Sequence, residues 1–191
     1  MKIVLFPGVG FHEDTTTHQK FMDSIKKELG CEVGIFVWEH YWTMPENDLP
    51  AKLVRGLVSE IILDFQQVIR HSETMEVPDA DYYIGHSAGS IIAMSQDKPC
   101  IIMGSPAALV ECVNDGGVRT TDYSSKKALN IVDKYDVIAH PLNHADVDNF
   151  IVKRSWFRLS SYTPYFSHTS YWKNKRVINK IVETIKKWES E

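Results

Sequence analysis

The chain has 191 residues, 43% of them hydrophobic, and sets 21 Lys and Arg against 25 Asp and Glu for a formal net charge of -4. That length can bury one substantial core, so a single domain over residues 1–191 is expected. Neither sign of charge gathers into a tail, which nominates no nucleic-acid partner, and no run of about 18 apolar residues is present to span a membrane as a helix.

Short apolar runs alternate with longer stretches of helical period. This pattern predicts a three-layer α/β/α sandwich with a mostly parallel central sheet. The opening MKIVLFPGVGF reads as a buried first strand, Lys2 to Phe6, because Pro7 and Gly8 break the apolar run too early for a secretory leader. A helix should start near Thr17: Thr16 and Gln19 have capping-box spacing, Phe21, Met22, Ile25 and Leu29 share a face, and Gly30 suits a terminator. Val33 to Trp38 reads as a second strand, followed by the aromatic and polar segment EHYWTMPENDLP, either irregular cover or a pocket wall.

Val54, Leu57, Val58, Ile61, Phe65, Val68 and Ile69 then mark an amphipathic helix. Asp81 to Ile84, Cys100 to Met103, Ala128 to Val132 and Trp156 to Leu159 are the remaining predicted strands, and Ser90 to Ser95 a short helix. Val177, Ile178, Ile181, Val182, Ile185 and Trp188 place a closing helix after Asn174, with Lys173, Lys175, Arg176, Lys186 and Lys187 expected on its wet side.

The most informative stretch is Gly85-His86-Ser87-Ala88-Gly89, a G-x-S-x-G sequence between the apolar run YYI and the helix SIIAM. A sharp strand-to-helix bend strains its central residue and crowds its neighbours, which suits glycine at 85 and 89 and projects the Ser87 hydroxyl outward. The N–H of Ala88 and the start of the helix would then face negative charge developing beside Ser87.

With these residues in place, the sequence resembles the compact esterase and lipase-like members of the α/β-hydrolase family, in minimal form and without a large lid. The resemblance runs from the first strand to the final helix. VLFPGVG looks like that family's first strand and oxyanion loop, with Pro7 where His is usual, which implies Val9 N–H as the partner of Ala88 N–H, with Gly10 the alternative to Val9. GSPAAL after Met103 resembles a loop that borders the active site in lipase-like members.

Serine needs a base in reach and a group that orients the base, and in this fold the chain order is Ser, acid, His. That order leaves His140, His144 and His168 among eight histidines, and the resemblance implies His168, in YFSHTSYW before the closing helix. LNIVDKYDVIAHPL resembles the family's strand, short loop and acid, implying Asp136, with Asp133 nearer the strand end as the alternative.

Two competing patterns are weaker. Gly8-Val9-Gly10 could begin a dinucleotide-binding turn, but position 13, where a third glycine is needed, is Glu. His140 and His144, near Asp146 and Asp148, could bind a metal, yet HExxH is absent and Pro141 intervenes.

The expected function is therefore hydrolysis of a small-molecule ester or thioester through an acyl-enzyme, with no cofactor and no metal. An amidase or acyltransferase using the same residues, or a non-catalytic binding module, are the alternatives. Tyr162, Tyr165, Phe166, Tyr171 and Trp172 either line an acyl pocket or pack under the last helix. Cys31, Cys100 and Cys112 form no CxxC pair, which points to a reducing, cytoplasmic setting. Oligomeric state has no signal in the sequence.

Overall fold

A computed structural model describes residues 1–8, 16–38, 68, 72, 74–108, 127–153 and 164–191. Among them, β1 (Lys2–Phe6), β2 (Glu32–Ile35), β3 (Tyr82–His86), β4 (Cys100–Met103), β5 (Ala128–Asp133) and β6 (Val147–Val152) form one sheet. Its order is β2-β1-β3-β4-β5-β6, and every pairing is parallel.

Parallel strands are joined by crossovers that cover both faces, so their residues must be apolar on both sides. All residues of β3, β4 and β5 are buried, in agreement with the continuous apolar runs seen in the sequence. Side chains alternate between two cores. Val4, Phe6, Tyr83 and Ile102 face the first, together with Ile91, Ile92 and Met94 of α2 (Gly89–Ser95). Ile3, Leu5, Ile84, Ile101 and Met103 face the second, which holds Phe21, Met22 and Ile25 of α1 (Thr16–Leu29) and Val177, Ile181 and Ile185 of α4 (Lys175–Ser190). The result is a three-layer α/β/α arrangement around a parallel sheet.

The helix boundaries follow local chemistry. Gly30 leaves α1 at φ +63° while its N–H donates to Lys26 O at 2.8 Å, a closure only glycine adopts without strain. Asn174 caps α4 by accepting the Arg176 N–H at 3.0 Å. Each fully buried aliphatic side chain on the inner face of α4 contributes roughly 1.5–3 kcal/mol, and Lys173, Lys175, Arg176, Lys186 and Lys187 lie outward in solvent. Ahead of α4, α3 (Pro164–Thr169) runs directly into a 3-10 turn, Ser170–Lys173.

Gln19 Nε2 donates to Asp23 Oδ1 at 2.9 Å, a bond along the helix surface. The strand next to β5 is Val147–Val152, whereas Trp156 to Leu159 lie outside the described residues. As an edge strand, β6 exposes Asp148 and Asn149 and buries only Val147 and Val152, so it lacks the apolar run that marks a central strand. The helix predicted over Val54 to Ile69 and the EHYWTMPENDLP segment fall outside the described residues, apart from Val68, which is buried against the first core.

Candidate active site

At the C-terminal end of β3 the backbone turns abruptly into α2. Ser87, in that bend, has φ +52°, and it is the non-glycine residue with positive φ among the described residues. Such a conformation costs of order 1–3 kcal/mol and persists only where the surroundings enforce it. Here they do: Ser87 N–H donates to Met103 O at 3.0 Å, and its carbonyl accepts Ser90 N–H at 3.0 Å and the Ser90 hydroxyl. The neighbouring glycines are required by space. A Cβ at Gly85 would lie 2.6 Å from Gly89 O, and one at Gly89 would collide with the carbonyl oxygens of Phe6 and Pro7. The bend is therefore wedged directly against the end of β1, and Trp38 Nε1 holds the Pro7 carbonyl there at 2.9 Å.

Two strands further along the sheet, the turn after β5 presents a carboxylate. Asp136 Oδ2 is 2.9 Å from His168 Nδ1. A carboxylate only accepts, so Nδ1 carries a proton and Nε2 is the nitrogen left on the far side of the ring, the orientation a general base needs. Asp136 Oδ1 accepts Ile138 N–H at 3.0 Å, and Oδ2 also accepts the Tyr171 hydroxyl at 2.9 Å. Burial pushes the Asp136 carboxyl up, but the His168 bond and charge, Ile138 N–H and Tyr171 together hold it below the usual carboxylate range. Asp133 does different work: its Oδ1 accepts Tyr135 N–H at 3.0 Å within the turn, and Oδ2 takes a long contact from Ser170 Oγ at 3.4 Å.

Gly104, which follows β4, sits between these groups with φ +58°. A Cβ at this position would be 3.1 Å from His168 Cε1 and 3.2 Å from Asp136 Oδ2. The start of GSPAAL thus borders the Asp136–His168 pair.

His86 is fully buried. Its Nε2 is 2.7 Å from the main-chain carbonyl of His168, so Nε2 must be the protonated nitrogen. The ring lies 4.8 Å from the His168 ring and 4.6 Å from that of Trp172, centroid to centroid. Burial first, and the neighbouring His168 second, lower its pKa from 6.5 to about 3, so it is neutral at physiological pH.

The structure thus brings Asp136 and His168 into contact and places Ser87 on the same edge of the sheet, through His86. Among the described residues no hydrogen bond joins Ser87 Oγ to His168. Ala88 opens the turn into α2 in helical conformation and is fully buried; Val9 and Gly10 lie outside the described residues. Of the aromatic residues near His168, Tyr171 and Trp172 are buried in the second core. The His140 carbonyl accepts the Asn130 amide at 3.0 Å, and among the described residues no group of three metal-ligating side chains converges. Sequence reasoning missed Tyr171 as a partner of the site. The signal for it was its place three residues after His168, which on a helical turn puts both side chains on one side.

No family model matches the chain, and no curated relative does. Among solved structures, the chain is similar to the esterase domain of a Rhodothermus marinus protein, at 12% identity and TM-score 0.48, covering 98% of this chain and 84% of that one. It is also similar to carboxyl esterase 2 of the mycorrhizal fungus Tuber melanosporum, at 12% identity and TM-score 0.44, over 96% and 75% of the two chains. A Xanthomonas campestris protein placed in the alpha/beta hydrolase superfamily is similar at 12% identity and TM-score 0.45, over 96% and 98%. The architecture itself is a parallel sheet between helices, with a G-x-S-x-G bend after a central strand and an Asp and a His following it in that order.

Proposed function

We propose that this protein is a serine hydrolase that cleaves a carboxylic ester or thioester through an acyl-enzyme on Ser87. The observation that carries this reading is a serine held at φ +52° on the same sheet edge as an imidazole whose Nδ1 is bound to a buried carboxylate.

In this reading His168 Nε2 takes the Ser87 proton as Oγ attacks the carbonyl, and Asp136 stabilises the imidazolium without itself becoming protonated. The Ala88 N–H, with that of Val9, holds the oxyanion. His168 then protonates the leaving alcohol or thiol, and water releases the acyl group by the same steps in reverse. Bonds between nucleophile and base are often long in an empty site and tighten once substrate enters, so the open Ser87–His168 contact is compatible with turnover. In this reading the described residues belong to one domain, and small or exposed esters are its substrates.

Labelling with a fluorophosphonate probe, followed by digestion and mass spectrometry, tests the assignment. Modification of Ser87, abolished in Ser87→Ala, is the expected result; labelling elsewhere, or none, refutes it. A series of p-nitrophenyl esters of rising chain length tests the substrate class, and preference for the longest would overturn it. A second reading, a binding module without turnover, is favoured by the absent Ser87–His168 bond. It requires Ser87→Ala to hydrolyse esters no more slowly than the wild type.

A further inference from the structure

We propose that Tyr171 is a positioning residue of the site, a second donor on the same oxygen of Asp136 that receives His168 Nδ1–H, and that it limits how strongly the acid holds the imidazole. The inference rests on the assignment of Asp136 and His168 just made.

The geometry leaves the phenol one arrangement. Its oxygen is 2.9 Å from Asp133 N and 2.9 Å from Asp136 Oδ2. The Asp133 N–H can only donate, so it occupies the acceptor side of the phenol and the single O–H proton must point at Asp136. The residue is 1% exposed, which keeps bulk solvent from competing for that proton. Its own ionisation is suppressed by burial and then by the Asp136 charge, so it stays a donor throughout the working pH range.

His168 and Tyr171 stand three residues apart where α3 passes into the 3-10 turn, and this spacing delivers both donors to one carboxylate oxygen. Two charge-assisted hydrogen bonds on one oxygen share its negative charge. The Tyr171 bond therefore fixes the carboxylate rotamer and at the same time makes Oδ2 a weaker acceptor for His168. A phenol that served packing alone would have no such effect on the imidazole.

Two replacements of opposite sign test this. Tyr171→Phe removes the proton and leaves a more basic carboxylate; a ring-fluorinated tyrosine introduced at the same position keeps the shape and is a stronger donor. The first should move the acid limb of the pH profile of kcat/KM to higher pH and lower kcat/KM at neutral pH roughly threefold to tenfold. The second should move the limb to lower pH. The proton resonance of His168 Nδ1–H, read in solution without turnover, should move downfield in the first and upfield in the second.

If Ser87 is labelled and hydrolysis is normal but neither limb nor resonance moves in the two proteins, the Tyr171 proposal is wrong and the function stands. If Ser87→Ala hydrolyses esters like the wild type, the acyl-enzyme reading falls and the catalytic part of this proposal falls with it. Should Tyr171→Phe not fold, the fluorinated protein decides alone: an unmoved resonance overturns the proposal.

Discussion

Asp136 Oδ2 lies 2.9 Å from His168 Nδ1, whereas Asp133, on the same turn, spends its carboxylate on Tyr135 N–H and Ser170. The two acids are three positions apart and have separable jobs. Asp136→Asn should reduce kcat/KM by about a thousandfold or more, because an amide can donate to Nδ1 and impose the wrong tautomer. Asp133→Asn keeps an oxygen for the turn and should change kcat/KM by no more than roughly threefold. Steady-state kinetics on both decide, and equal losses would contradict the division.

His86 makes stability depend on pH. Its folded pKa of about 3 lies below the ordinary value of 6.5, so the unfolded chain binds a proton that the folded chain refuses. Stability should therefore fall as pH drops from 6.5 toward about 3, and level off for this group only below that value. The slope from one such proton is at most about 1.4 kcal/mol per pH unit. His86→Gln, which can still donate to the His168 carbonyl, should flatten that part of the curve in denaturant unfolding at several pH values. Identical slopes in both proteins would show that His86 does not carry the effect.

Gly104→Ala tests the crowding at the Asp136–His168 pair. The added methyl meets a positive φ, which costs about 1 kcal/mol, and presses on His168 Cε1, Tyr171 Cε2 and Asp136 Oδ2 at 3.1–3.2 Å. Thermal unfolding should shift modestly, while kcat/KM should fall roughly tenfold or more as the imidazole is displaced. Full activity in a destabilised protein would mean that the imidazole is not displaced.

Trp38→Phe keeps most of the buried ring but removes the donor to the Pro7 carbonyl. The lost bond should cost about 1–2 kcal/mol in chemical unfolding. Because Pro7 adjoins the Ser87 bend, kcat should fall more than KM rises. A change confined to KM would place the effect in substrate binding rather than in the alignment of the bend.

The central strands were legible because burial on both faces forces continuous apolar runs such as IVLF and CIIM, and a solvated segment seldom carries such a run. The Ser87 bend was equally legible, since glycine at 85 and 89 answers a steric demand that is local in the chain. Strand β6 was not. Asn149 there serves the fold through its amide, bonding Leu142 N–H at 3.0 Å and Leu142 O at 2.8 Å, and a polar edge residue looks like a loop residue in sequence. Tyr171 was hidden for the opposite reason. An aromatic side chain before an apolar helix reads as packing, and its hydroxyl acquires meaning only when the turn after β5 comes to meet it.

Ile3 pairs with Tyr82 across a long stretch of chain, and the Ser87 bend rests on the Phe6 and Pro7 carbonyls that this pairing brings beside it. Such distant closure is entropically slow and late. In a chain leaving the ribosome, the Phe6 and Pro7 carbonyls can meet the Ser87 bend only after β3 has been made. On the proposed reading, chemical reactivity at position 87 would then serve as a clock for the completion of folding, silent until β1 and β3 have paired.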